Sequence, residues 1–189
     1  MEYSRGFNPH PKMGFAQPLS LGYTSEGEYL EFETVIPYNT DHITGLMNSF
    51  LPYGIVIRNC IPVPSGEKSA ASLVRYASYE AFFDSGMIPS ENQVTNFLAQ
   101  EEIIVKKPVN KRKDSVEINI KPMIRTLKIG EIKGDQQTIY MEINTGSISN
   151  LNPELLLVSL FEFSDIPYEK GILQIKRIEM FKENGHPLI

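Results

Sequence analysis

The stretch Ser90-Glu91-Asn92-Gln93-Val94-Thr95-Asn96-Phe97-Leu98, with Ile103-Ile104-Val105 just beyond it, decides the fold. Ser90 followed three residues later by Gln93 has the form of a capping box, and Val94, Phe97 and Leu98 then fall on one helical face. The β-branched run after it reads as a strand that Pro108 stops. The same helix-then-strand order occurs twice more. Asn39-Thr40-Asp41 offers capping oxygens before Ile43, Leu46, Met47 and Phe50, an apolar stripe ended by Pro52 and Gly54, and the apolar run Gly54 to Val63 is expected to be the strand. Asn152-Pro153-Glu154 places a cap, a proline at the first helical position and an acid in the first turn before Leu155 to Phe161. A strand from Ile172 to Phe181 follows it.

Between the last two units lie strands alone. Val116, Ile118 and Ile120 alternate with polar residues, as do Ile139, Met141 and Ile143, so each strand has one buried face and an antiparallel sheet follows. With Ser72 to Phe83 as an earlier strand, the chain reads as an α+β protein of two ferredoxin-like, split βαβ sandwich domains. The first (1–66) is incomplete and the second (67–189) carries an extra hairpin near Gly134. Pro62-Val63-Pro64-Ser65-Gly66-Glu67 supplies the boundary.

Composition bounds the chemistry. The chain has 189 residues, 41% hydrophobic and 22% charged, which excludes disordered, collagen-like and coiled-coil classes. Its net charge of -5 leaves no global basic field, so any anion site is local. No apolar run approaches a membrane span and Met1 to Arg5 lacks a signal-peptide layout, so a cytoplasmic protein with no membrane contact is expected. One cysteine, Cys60, cannot ligate a cluster or a thiolate zinc, and within an apolar run it reads as a core residue. His10, His42 and His186 share no metal-pair spacing, so neither a metal nor a cofactor is expected.

Two segments carry candidate function. In Tyr3-Ser4-Arg5-Gly6-Phe7-Asn8-Pro9-His10-Pro11-Lys12, each proline holds the residue before it in extended geometry, so the loop is stiff. Ser4, Arg5, Asn8, His10 and Lys12 then form a candidate binding cluster anchored by Tyr3, Phe7 and Phe15, or the loop is a packed connector. Residues 103–133 hold nine basic side chains against three acids, with Lys111-Arg112-Lys113 at an expected hairpin tip. Lys106, Lys107, Lys111, Arg112 and Lys113 are candidate RNA contacts, or they guard a sheet edge.

The N-terminal segment resembles the radical SAM-linked proteins, a bacterial domain family found beside, or fused behind, a radical SAM enzyme. The likeness rests on Tyr3 to Lys12, then Phe15-Ala16, Pro18-Leu19, Leu21-Gly22 and Ser25 to Leu30. It continues more weakly through the helix after Asp41, the strand ending at Phe83, Ile120-Lys121-Pro122 and Gly146-Ser147. Members of that family begin about 40 residues earlier, with a strand, a Ser-His-Leu-Asp motif and a basic helix that would complete the first domain. On that resemblance the chain is truncated, or another polypeptide supplies the missing part. The resemblance implies an accessory or substrate-presenting role beside a radical SAM protein, with a hint of RNA as a second partner, and the sheet edge and apolar surface that the missing pieces leave open predict self-association through the incomplete domain. Two other readings stand beside it: an RNA-binding module acting alone, and an enzyme using His10 as acid or base with Arg5 and Lys12 as anion stabilisers.

Overall fold

The computed structural model of the chain describes residues 1–108, 115–168 and 174–189. Its elements are β1 (Met13–Phe15), β2 (Thr24–Ser25), β3 (Leu30–Phe32), α1 (Thr40–Asn48), α2 (Ala70–Leu73), β4 (Tyr76–Asp84), α3 (Glu91–Ala99) and β5 (Ile104–Pro108). They continue with β6 (Ser115–Asn119), β7 (Ile124–Lys133), β8 (Gln136–Asn144), α4 (Pro153–Phe163) and β9 (Gln174–Phe181), with a 3-10 turn at Lys121–Met123. The fold is mixed α/β.

The caps form where the residues require them. The Ser90 hydroxyl accepts from the Gln93 N–H at 3.4 Å while the Gln93 side chain accepts from the Ser90 N–H at 2.9 Å, which starts α3. Asn152 accepts from the Glu154 N–H at 2.7 Å with Pro153 at the first helical position, which starts α4. Asn39 likewise accepts from the His42 N–H and starts α1.

The main sheet has the order β2-β9-β4-β8-β7. Along β7, β8, β4 and β9 each strand is antiparallel to its neighbour, and the short β2 pairs parallel to β9, so the sheet is mixed. β1 with β3 and β5 with β6 form separate two-stranded sheets. Period-two alternation sends Ala77, Tyr79, Ala81, Ile139, Met141 and Ile143 to one core, where they meet Val94 and Phe97 of α3 and Leu156, Leu157, Leu160 and Phe161 of α4. Stacking of Phe83 on Phe161, with ring centroids 5.0 Å apart, fixes α4 against β4. Gly146 turns the chain out of β8 at φ +123°, and the Val74 carbonyl oxygen lies 2.8 Å from where a Cβ would stand.

Residues 1–73 are organised differently. Ala16 is their sole buried residue. Ala16, with Tyr23, Tyr29, Ala70 and Leu73 packed against the core, ties this stretch to the main sheet, and a polar clamp adds to it: Arg177, 1% exposed, donates from Nε and Nη2 to the two Glu28 carboxylate oxygens at 2.9 and 2.6 Å and from Nη2 to the Gln17 carbonyl at 3.0 Å. The Tyr29 hydroxyl donates to Glu179 at 2.7 Å.

Several expectations are corrected. No strand forms over 54–63: Ile55 and Val56 are exposed, the Ile57 backbone is held by the Asn48 side chain, and Cys60 is half-buried instead of in the core. With no neighbouring ladder to join, an apolar run has nothing to pair with. The stripe of α1 is covered only in part: Ile43 and Met47 are half-buried, while Leu46 is exposed and Phe50 is 82% exposed. The strand expected from Ser72 begins at Tyr76, because Ser69 caps a helical turn over Ala70–Leu73. β6 does not join the sheet of β8, and the hairpin through Gly134 is the β7–β8 pair of the main sheet. The hairpin outside that sheet is β5–β6. The expected start of the last strand at Ile172 lies outside the described residues.

Candidate functional site

The N-terminal loop closes on itself through its own backbone. Tyr3 bridges Pro11, the Ser4 N–H donates to the His10 carbonyl at 2.8 Å, and the His10 N–H donates to the Ser4 hydroxyl at 3.0 Å. Ser4 is therefore spent inside the loop. Lys12 is spent too: its Nζ lies 2.9 Å from Glu2 and 2.7 Å from Glu33, and these hydrogen bonds, Glu33 first, raise its pKa while Lys12 lowers that of Glu2. Arg5, Asn8 and His10 are exposed, and their side chains hydrogen-bond to none of the described residues. The loop thus displays three polar groups of the five and neutralises the cation that would have completed an anion site.

Tyr3, Phe7 and Phe15 do not anchor this loop. All three are exposed, Phe7 completely, so the aromatic rings expected beneath the loop stand on its surface. They belong to a larger set: sixteen of the twenty-three exposed large apolar side chains among the described residues fall between Met1 and Val63, including Leu21, Phe50 and Tyr53. Exposed apolar residues scattered singly need no explanation, but this concentration in one third of a chain does. The signal was in the sequence as an amphipathic α1 whose apolar stripe had no companion strand.

Two cavities among the described residues lie elsewhere. The smaller, about 40 Å³, sits between the Gln17 to Tyr23 segment and the start of α4, with Tyr79 and Arg177 in its wall. Burial, and then the nearby Glu154 charge, pushes the Tyr23 hydroxyl up to about 12. Arg177 was legible only as the odd member of a buried period-two face with Ile175. The larger, about 370 Å³, is an open groove along β7 lined by Leu98, Lys121 and Ile124 to Lys128.

Of the candidate RNA contacts, Lys106 is exposed on β5 with its backbone paired to Glu117, and the Lys107 backbone pairs with Val116. Lys111, Arg112 and Lys113 lie outside the described residues. The cations that do line a groove are Lys121, Arg125 and Lys128. Among the described residues no group of three His, Cys, Asp or Glu side chains is placed to hold a metal ion, and no helix is long and apolar enough to cross a membrane.

No curated protein is similar to this chain. A solved structure that is similar in part, the crystal structure of a Cbf5-Nop10-Gar1 complex, shares 16% identity at a TM-score of 0.41 over 60% of this chain and 34% of the other. The chain spans about a third of that structure's chain. Residues 1–153, from the exposed N-terminal loop through β8 to the first residue of α4, match one bacterial family, and the chain belongs to it: the uncharacterized proteins conserved in bacteria (DUF2344).

Proposed function

We propose that the chain is an accessory, substrate-presenting module of a radical SAM enzyme, and that it docks on that enzyme through residues 1–63. The observation that carries this reading is the uncovered apolar surface of that stretch, which has one buried residue and sixteen exposed large apolar ones. A segment with no core of its own gains the missing burial from the strand and helix that the resemblance expects ahead of it, or from a partner, at about 25 cal/mol for each Å² of apolar surface removed from water, and the docking reading assigns to the partner what those elements leave open. The resemblance to the radical SAM-linked proteins names the partner. Residues 76–181 are read as a ferredoxin-like unit in this proposal, supported by the order β9-β4-β8-β7 with α3 and α4 as the connections and β5–β6 inserted ahead of β7. The exposed Arg5, Asn8 and His10 lie in the same stretch of chain and add polar groups to the docking surface in this reading.

The test is co-purification with the neighbouring radical SAM protein under anaerobic conditions, followed by size-exclusion chromatography with light scattering. A stoichiometric complex is expected, and Phe50→Ser with Tyr53→Ser should abolish it while leaving the thermal midpoint in place, because both side chains are exposed. A chain that self-associates through the same surface and excludes the enzyme, or a pair that elutes apart at micromolar concentration, overturns the proposal.

A further inference from the structure

The edge of the main sheet opposite to the apolar surface has a different chemistry. β7 is the last strand in the order, and the groove of about 370 Å³ along it is lined by three cations, Lys121, Arg125 and Lys128, and by no carboxylate. In a chain of net charge -5 this is a local reversal of sign, and at physiological salt screening within about 8 Å makes the local charge the relevant one. Lys121 Nζ donates to the Leu98 carbonyl and keeps two N–H donors for a ligand, and Arg125 is held in place as well. Its guanidinium lies 4.1 Å from the centroid of the Tyr76 ring, and its Nε reaches Asn144 Oδ1 at 3.4 Å. The neighbouring carboxylate, Glu142, accepts hydrogen bonds from Thr126 Oγ1 at 3.1 Å and from the Tyr140 hydroxyl at 2.7 Å.

The strand itself is a poor template for an added peptide strand. Its pairing is irregular between Ile124 and Thr126 and again between Ile129 and Ile132, so an unbroken ladder spans only the residues between. A ligand of this groove is therefore recognised by its charge through side chains. Arg125 falls in the first of these irregularities and reaches Asn144, which shares a face of β8 with Tyr140, the register partner of Lys128, so both cations serve one face of the sheet despite their odd spacing. Tyr140 stands opposite Lys128 in the register and offers an aromatic ring beside it.

We infer that this groove binds the phosphate backbone of a single-stranded nucleic acid, with Lys121, Arg125 and Lys128 as the contacts. The site is independent of the docking surface proposed above and is tested without the partner enzyme. Three phosphates neutralised on a single strand give a slope of about -2 in log affinity against log salt, so raising salt from 50 to 200 mM should weaken binding of a fluorescent oligouridylate about 15- to 20-fold. Arg125→Gln with Lys128→Gln should lower affinity by about tenfold at 50 mM and flatten the slope to about -0.7. Lys128→Glu, which leaves the Arg125–Tyr76 stack intact, should weaken binding at an unchanged thermal midpoint. Changing Lys111, Arg112 and Lys113 together to Ala should leave most of the affinity in place. No binding at 50 mM salt, loss only in that last variant, or preference for anionic vesicles over the oligonucleotide overturns the inference, and the first of these outcomes makes the cations edge protection.

Discussion

Glu28→Ala leaves the Arg177 guanidinium, 1% exposed, with the Gln17 carbonyl as its remaining partner. Breaking a buried ion pair by removing one member costs about 3–5 kcal/mol, because the surviving charge stays buried and uncompensated. The Glu28 side chain keeps 22% exposure, so water shares part of its work and the expected loss falls to about 2–4 kcal/mol. With a urea m-value of about 2 kcal/mol/M, the unfolding midpoint should drop by about 1–2 M. The double variant Glu28→Leu with Arg177→Met removes both charges and should recover most of the loss, since an apolar pair of similar volume is often neutral. Measured with the Glu28→Leu and Arg177→Met singles, the cycle should carry a coupling of about 2 kcal/mol. Amide exchange should speed up first around Glu26, whose N–H donates to the Arg177 carbonyl at 2.9 Å. A Glu28→Ala midpoint within 0.2 M of the wild type, roughly 0.4 kcal/mol at that m-value, or a double variant equal to the sum of the singles, refutes the view that this pair fastens residues 1–73 to the sheet.

Gly146→Ala should destabilise by about 2 kcal/mol or more in the same urea assay, from the positive φ and from the approach of a new Cβ to the Val74 carbonyl; a midpoint shift under 0.3 M, roughly 0.6 kcal/mol, contradicts it. Burial first, and then the hydrogen bond to Glu142, push the Tyr140 hydroxyl up to about 12. The folded state favours its neutral form, so the stabilisation is whole below the ordinary value near 10 and is lost as pH rises toward about 12. Alkaline titration at 295 nm should show a late component shared with Tyr23, Tyr29 and Tyr168, whose amplitude Tyr140→Phe lowers by one tyrosine; an unchanged late amplitude in that variant would point elsewhere. His10→Ala should leave the thermal midpoint unchanged, since that side chain bonds to none of the described residues, yet weaken the partner complex. Unweakened binding rules the loop out of the interface.

What could be read from the residues was local. The capping box at Ser90, the Asn152-Pro153 start of α4 and the Asn39 cap depend on side chains reaching backbone donors two or three residues away, so the pattern alone locates those helices. The alternation in β8 likewise names its buried face, because side chains in a strand change sides at every residue. The run Gly54 to Val63 shows where that reasoning stops: its composition favours a strand, but strand pairing is a property of a neighbour, and the fold places none beside it. The surroundings of the loop cluster were hidden for the same reason. Lys12 looked free until the chain return at β3 brought Glu33 to it, and the phenyl rings looked like anchors until nothing lay under them. Tertiary structure alone gathered Lys121, Arg125 and Lys128 along one edge and closed Glu28 on Arg177, 149 residues away in the chain. Contacts of that separation are set by sheet order and register, which no window of neighbouring residues encodes.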